Sequence, residues 1–210
     1  MPIEDYSAAA QRIASLLKTL TAPGRLRLKY RITAGAGAAD PDQLEAREIY
    51  VELAGPDAGL LTDIAAAVLA LRGAGAGRVA LLGASQGGSE ALIAAGGRAS
   101  GTGAVAGVAA LSADELDQPL APPPGPRTAV TAAATVRVPA LLAVAPADPY
   151  VSLTGTRSLF AALGTPAARK RLLVQPAGAG HGWVMVDGTP GEPEPPLAAQ
   201  LAAFLRTVTT

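Results

Sequence analysis

Residues 78–95 read Arg78-Val79-Ala80-Leu81-Leu82-Gly83-Ala84-Ser85-Gln86-Gly87-Gly88-Ser89-Glu90-Ala91-Leu92-Ile93-Ala94-Ala95. Residues 78–83 form the short apolar run of a strand buried on both faces. Residues 89–95 are a helix, so Gly83-Ala84-Ser85-Gln86-Gly87 is the tight turn that joins them. A serine in such a G-x-S-x-G turn is strained, with its hydroxyl held above the sheet. The N–H of the next residue, Gln86, points where an oxyanion would form, and the N-terminus of the following helix favours negative charge there. Ser85 is therefore the candidate nucleophile, and the Gln86 amide the candidate oxyanion donor.

Two other glycine-rich loops fail on specific residues. A dinucleotide fingerprint needs glycine where Ser85 stands and an acidic residue about 20 positions on. Residues 101–111 hold neither Asp nor Glu. A phosphate-cradling loop ends in Gly-Lys-Ser/Thr, and no lysine occurs in this turn.

Outward from the turn, strands and helices alternate. Leu60, Leu61, Ile64, Val68, Leu69 and Leu71 suit an amphipathic helix ending near Gly73. Residues 104–111, 138–145 and 170–175 are strands, the first two buried; residues 152–163 and 197–208 are helices. Residues 112–137 read as a loop with a proline-rich centre. Upstream, residues 7–20 have helical spacing, and residues 25–32 alternate as a half-exposed edge strand. Residues 35–41 are a loop, residues 42–47 a short helical turn, residues 48–53 a second strand, and Gly55-Pro56-Asp57 a turn. The alternation predicts βαβ units and a mostly parallel sheet in a three-layer α/β sandwich. No repeat and no linker divides residues 1–210, so a single domain is expected.

Composition removes most other classes. Of 210 residues, 50% are hydrophobic and 16% charged, which is not the balance of a disordered chain. Seventeen basic residues face 17 acidic ones, so the electrostatic footprint that nucleic acid or anionic lipid requires is missing. There is no cysteine and one histidine, which excludes disulfides, thiolate metal sites, cysteine nucleophiles and multi-histidine metal sites. Aromatic residues are only 3%, so a core of Ala, Leu and Val must rely on close backbone approach. The N-terminus lacks a basic start followed by an uncharged apolar run, and no segment reaches about 18 strongly apolar residues. A soluble, cytoplasmic protein with no membrane partner is expected.

A serine nucleophile needs a base, and His181 is the one histidine, in Gly178-Ala179-Gly180-His181-Gly182. It follows the strand at 170–175, at the strand end where open α/β sheets place their sites. The base needs a carboxylate to fix its tautomer. Asp148, in Ala147-Asp148-Pro149-Tyr150, follows the strand at 138–145 in the same way. Asp114 and Asp117 are the weaker alternatives, and Asp187 lies too near His181 in sequence to be preferred.

The turn, the acid and the base together resemble the α/β-hydrolase superfamily, in its small-esterase and dienelactone-hydrolase-like branch. The likeness runs over residues 59–208, with residues 1–58 atypical. Ser85, Asp148 and His181 stand in the order that superfamily uses. The Gly-Ala-Ser-Gln-Gly turn is also similar to that of cutinases, whose disulfides this cysteine-free chain cannot form. The resemblance implies a serine hydrolase that cleaves carboxylic esters through an acyl-enzyme. Its partner is a small-molecule ester, with no cofactor and no metal. Acyl transfer or thioester cleavage could use the same three residues.

The chain departs from that pattern upstream. A His-Gly dipeptide usually supplies the second oxyanion donor, and the sole histidine is already used. The backbone of residues 33–38 is the expected substitute. A reading from another class follows from this gap: a hydrolase fold, weak or silent in catalysis, that serves as a binding module. The segment 112–137 carries Pro119, Pro122, Pro123, Pro124 and Pro126, so it cannot build a helical cap domain. Ser85 should then face an open acyl groove edged by Tyr150, Trp183 and Met185.

Overall fold

The computed structural model describes residues 15, 29–34, 49–54, 60–97, 105–113, 129–187 and 195–210. Strands β1 (Lys29–Ala34) and β2 (Ile49–Ala54) pair antiparallel, from Lys29 opposite Ala54 to Ala34 opposite Ile49. With helix α1 (Leu60–Gly73) they belong to a first unit, Met1–Gly77. β1 ends at Ala34 rather than at residue 32, so Thr33 and Ala34 are strand and not loop. In α1 the alanines and the larger Ile64 and Val68 are buried together, and burial pushes the Asp63 carboxyl above its ordinary range. The helix expected at 7–20 lies outside the described residues except at Ser15, which is helical. The features expected at 35–47 and the turn at 55–57 lie outside them as well.

The second unit, Arg78–Thr210, is built on β3 (Ala80–Ala84), β4 (Gly107–Leu111), β5 (Ala140–Val144) and β6 (Lys170–Val174). They lie side by side in sequence order, all parallel. Between them run α2 (Gln86–Ala95), α3 (Ala129–Ala133) and α4 (Leu153–Ala162). After β6 come a single helical turn, α5 (Val184–Asp187), and the closing helix α6 (Pro196–Thr209).

Side-chain alternation decides which helix covers which face. Val108 and Ala110 of β4 and Ala140 and Leu142 of β5 point to one side, where Leu92, Ala129, Ala133, Leu159 and Leu163 fill the core. Ala109, Leu111, Leu141 and Ala143 point to the other, against Leu197, Leu201, Phe204 and Val208 of α6. A run of parallel strands in consecutive order, joined by crossovers of one hand, must place all its crossover helices on one face. That is the observed division, and it makes three layers. β4 and β5, covered on both faces and paired on both edges, are buried throughout.

β3 corrects the expectation of a fully buried strand. It starts at Ala80, and of its five residues only Gly83 is buried. Within this sheet β3 has one neighbour, β4, which leaves its other edge uncovered by the sheet. α2 starts at Gln86, three residues before the expected 89, so the turn is tighter than its glycines suggest. α3 sits inside the segment expected to be loop; Ala129, Ala132 and Ala133, spaced i, i+3 and i+4, bury one face of it in the core. Residues 114–128, with the proline cluster, lie outside the described residues. Among the described residues, no helix is long and apolar enough to cross a membrane.

Candidate active site

Ser85 stands between β3 and α2 with φ 55° and ψ −130°, a left-handed backbone that a side-chain-bearing residue rarely adopts. Three backbone bonds enforce it. The Ser85 N–H donates to the Leu111 carbonyl of β4 at 2.8 Å, and the N–H groups of Gly88 and Ser89 donate to the Ser85 carbonyl at 2.9 and 3.2 Å. Gln86 is the first residue of α2, where a helix offers its N–H no internal acceptor. Its side chain folds along the helix, donating to Glu90 Oε1 at 3.1 Å.

The turn closes only because residue 83 has no side chain. A Cβ there would overlap the Gly87 carbonyl, which is backbone and cannot step aside. Gly83→Ala is therefore expected to destabilise the protein by about 1–3 kcal/mol, as overpacking a tight site does. Thermal melts check this, and an unchanged Tm would show that the turn has slack.

His181 and Asp148 come from the two neighbouring strand ends. The His181 Nδ1 lies 2.9 Å from both Asp148 oxygens. A carboxylate accepts only, so Nδ1 carries a proton, and in the neutral ring Nε2 is then the acceptor. The Asp148 side chain has no exposed surface, whereas that of His181 is 21% exposed. The Tyr150 and Val151 N–H groups donate to Asp148 Oδ1 at 2.9 and 3.2 Å, fixing the carboxylate to its own loop. Burial pushes the Asp148 carboxyl up, but the bonds from Ser112, Tyr150, His181 and Val151 together hold it below its ordinary value. It is thus held as an anion beside the His181 ring.

Glycines set the His181 loop against the turn. Gly182 has φ +57°, and a Cβ on it would lie 3.3 Å from the Ala84 Cβ. The residue after His181 therefore seats on the residue before Ser85.

Ser112 is the residue that the sequence did not single out. It follows β4, has φ 46° and is fully buried. Its hydroxyl donates to Asp148 Oδ2 at 2.6 Å and accepts from the Gly182 N–H at 2.9 Å. The available signal was a polar residue closing an apolar strand at the carboxyl edge of the sheet.

Of the other expected residues, Tyr150 sets its ring edge-on to His181, with centroids 4.8 Å apart. Tyr150 and Trp183 are exposed, as is Val184. Met185 is not: it is 2% exposed and belongs to the core with Leu197 and Leu201, because α5 turns it inward. Asp187 is exposed at the end of α5. Asp114, Asp117 and residues 35–38, the rest of the expected oxyanion segment, lie outside the described residues. Among the described residues, no cluster of three His, Cys, Asp or Glu side chains could hold a metal ion.

Solved structures share this architecture. An esterase of Pyrococcus furiosus aligns with a TM-score of 0.58 at 14% identity, over 77% of this chain and 70% of that one. A monoacylglycerol lipase of Paleococcus ferrophilus aligns with a TM-score of 0.53 at 16% identity, over 76% and 83%. The esterase domain of a Rhodothermus marinus protein aligns at 25% identity with a TM-score of 0.47, over 63% of this chain and 64% of that domain. This chain thus spans just under two thirds of that domain's length. No protein-family model and no curated protein sequence matches the chain. The fold is the α/β-hydrolase fold.

Proposed function

We propose that the protein is a serine hydrolase that cleaves carboxylic esters through an acyl-enzyme. Ser85 attacks the carbonyl carbon while His181 Nε2 takes its proton, and the Gln86 N–H bonds the developing oxyanion. The imidazolium, held by Asp148, returns the proton to the departing alcohol; a water then repeats the sequence and releases the acid. One observation carries the reading. The sole histidine is bonded through Nδ1 to an enclosed carboxylate, on a loop whose Gly182 rests against Ala84, beside the strained Ser85.

Ser112 also touches the carboxylate, but it is a poor nucleophile. Its proton is committed to Asp148, and it has no exposed surface for a substrate to reach. Ser85 is half-buried, and the exposed Tyr150, Trp183 and Val184 offer an apolar edge for the acyl or aryl part of a soluble ester.

A fluorophosphonate probe, followed by p-nitrophenyl esters of rising chain length, tests this reading. The probe is expected to label Ser85 alone, and the rate to favour short acyl chains and rise smoothly through the micellar threshold. Absence of labelling would instead leave a hydrolase fold used for binding. A jump at the threshold would mean that part of this chain acts as a lid.

A further inference from the structure

The imidazole of His181 is held by little. It is partly exposed, and the ring that flanks it, Tyr150, is itself 75% exposed and cannot fix its orientation. Its backbone runs between Gly180 and Gly182, both at positive φ and closely packed, Gly180 on Val184 and Gly182 on Ala84, so the loop backbone is placed but the ring is not. The Val184 N–H holds the His181 carbonyl at 3.1 Å, and what remains for the ring is Asp148 on one side and the Gly182 N–H on the other. Both end on the same hydroxyl.

Ser112 is itself fixed from three directions. Its N–H donates to the Ala143 carbonyl at 2.8 Å, carrying the β4–β5 ladder one residue past the end of β4. Its hydroxyl proton goes to Asp148 Oδ2 and its lone pair takes the Gly182 N–H. The chemistry fixes these directions, because a carboxylate oxygen only accepts and an amide N–H only donates. A serine at φ 46° costs conformational energy, and such a conformation persists only where the surroundings impose it. Alanine would leave a buried N–H without an acceptor, while threonine would bring a branched Cβ to a positive φ in a site with no free surface.

We propose that Ser112 is the positioning residue of this site: one buried hydroxyl ties the Asp148 loop to the His181 loop and so aims the imidazole at Ser85. The proposal rests on the hydrolase reading above, but it can be tested on His181 directly. A single histidine gives a single set of ring resonances, so no assignment is needed.

The experiment compares Ser112→Ala and Ser112→Gly with the parent chain by nitrogen-15 NMR of the ring. Ser112→Gly also deletes the hydroxyl but relieves the backbone strain, which keeps a folded variant in hand. Thr165→Ala removes another buried hydroxyl, one bonded to the Val138 carbonyl, and serves as the control for general destabilisation. The parent is expected to show one tautomer with a slowly exchanging Nδ1–H. Both Ser112 variants should show mixed tautomers and a fast-exchanging Nδ1–H, and Thr165→Ala should keep the parent pattern. On an ester, kcat should fall by about 10²-fold at most, with KM little changed, as misaimed groups do. Parent-like ring signals in both Ser112 variants would overturn the proposal. So would the same loss in Thr165→Ala. A parent protein inert to esters and to the probe would sink the hydrolase reading instead, and the ring signals would still decide on Ser112.

Discussion

Ser85→Ala is expected to lower ester hydrolysis by about 10⁴-fold or more while leaving the protein folded. The size follows from what the hydroxyl does, since without it no acyl-enzyme forms and only water and the oxyanion donor remain. The fold should survive because the turn is held by backbone bonds to Leu111, Gly88 and Ser89, which do not involve the hydroxyl. Alanine also keeps the Cβ, so it inherits the strain at φ 55° unchanged. Glycine does not. Ser85→Gly relieves strain of about 1–3 kcal/mol against an added chain entropy of about 0.5–1 kcal/mol, and should melt above Ser85→Ala. Activity and melting curves on the three proteins check both statements. Hydrolysis surviving in purified Ser85→Ala would remove the nucleophile assignment. A lower Tm for the glycine variant would show that the turn is not strained.

The parts of the architecture legible in the sequence were those fixed by local pattern. β4 and β5 announce themselves because a strand covered on both faces must be apolar at every position, as Gly107–Leu111 and Ala140–Val144 are. Ser85, Asp148 and His181 stand out because each carries reactive chemistry at a strand end. What escaped depends on register. Ser112 looks like the first residue of a loop until β4 and β5 are paired, which sets its N–H on Ala143 and turns its hydroxyl toward Asp148. Met185 has the right composition for a substrate edge, and only the single turn of α5 decides that it faces the core. The partial exposure of β3 was equally hidden, since an apolar run does not say how many neighbours a strand will have.

Asp148→Asn is the second large effect, expected to cost about 10⁴-fold in kcat, because it reverses the polarity of one contact. An asparagine that keeps its oxygen on the Tyr150 and Val151 N–H groups must turn its NH₂ toward the positions now served by Oδ2. That NH₂ then faces His181 Nδ1, a donor against a donor. The ring responds by moving its proton to Nε2, and the nitrogen that should accept from Ser85 becomes a donor. Hydrolysis and probe labelling should fall together, whereas Asp187→Asn, exposed at the end of α5, should change neither. The same substitution separates catalysis from stability. Because the Asp148 carboxyl lies below its ordinary value, the folded chain binds this proton less readily than the unfolded chain does. Its stabilisation is complete above the unfolded value, about 3.9, and drains away as the pH falls from there through the folded value. Asparagine has no such proton. The difference in Tm between the parent and Asp148→Asn should therefore narrow as the pH falls from about 5 toward 3. A gap that stayed constant over the whole range would mean that Asp148 is not held as an anion, and the case for it as the partner of His181 would fall with it.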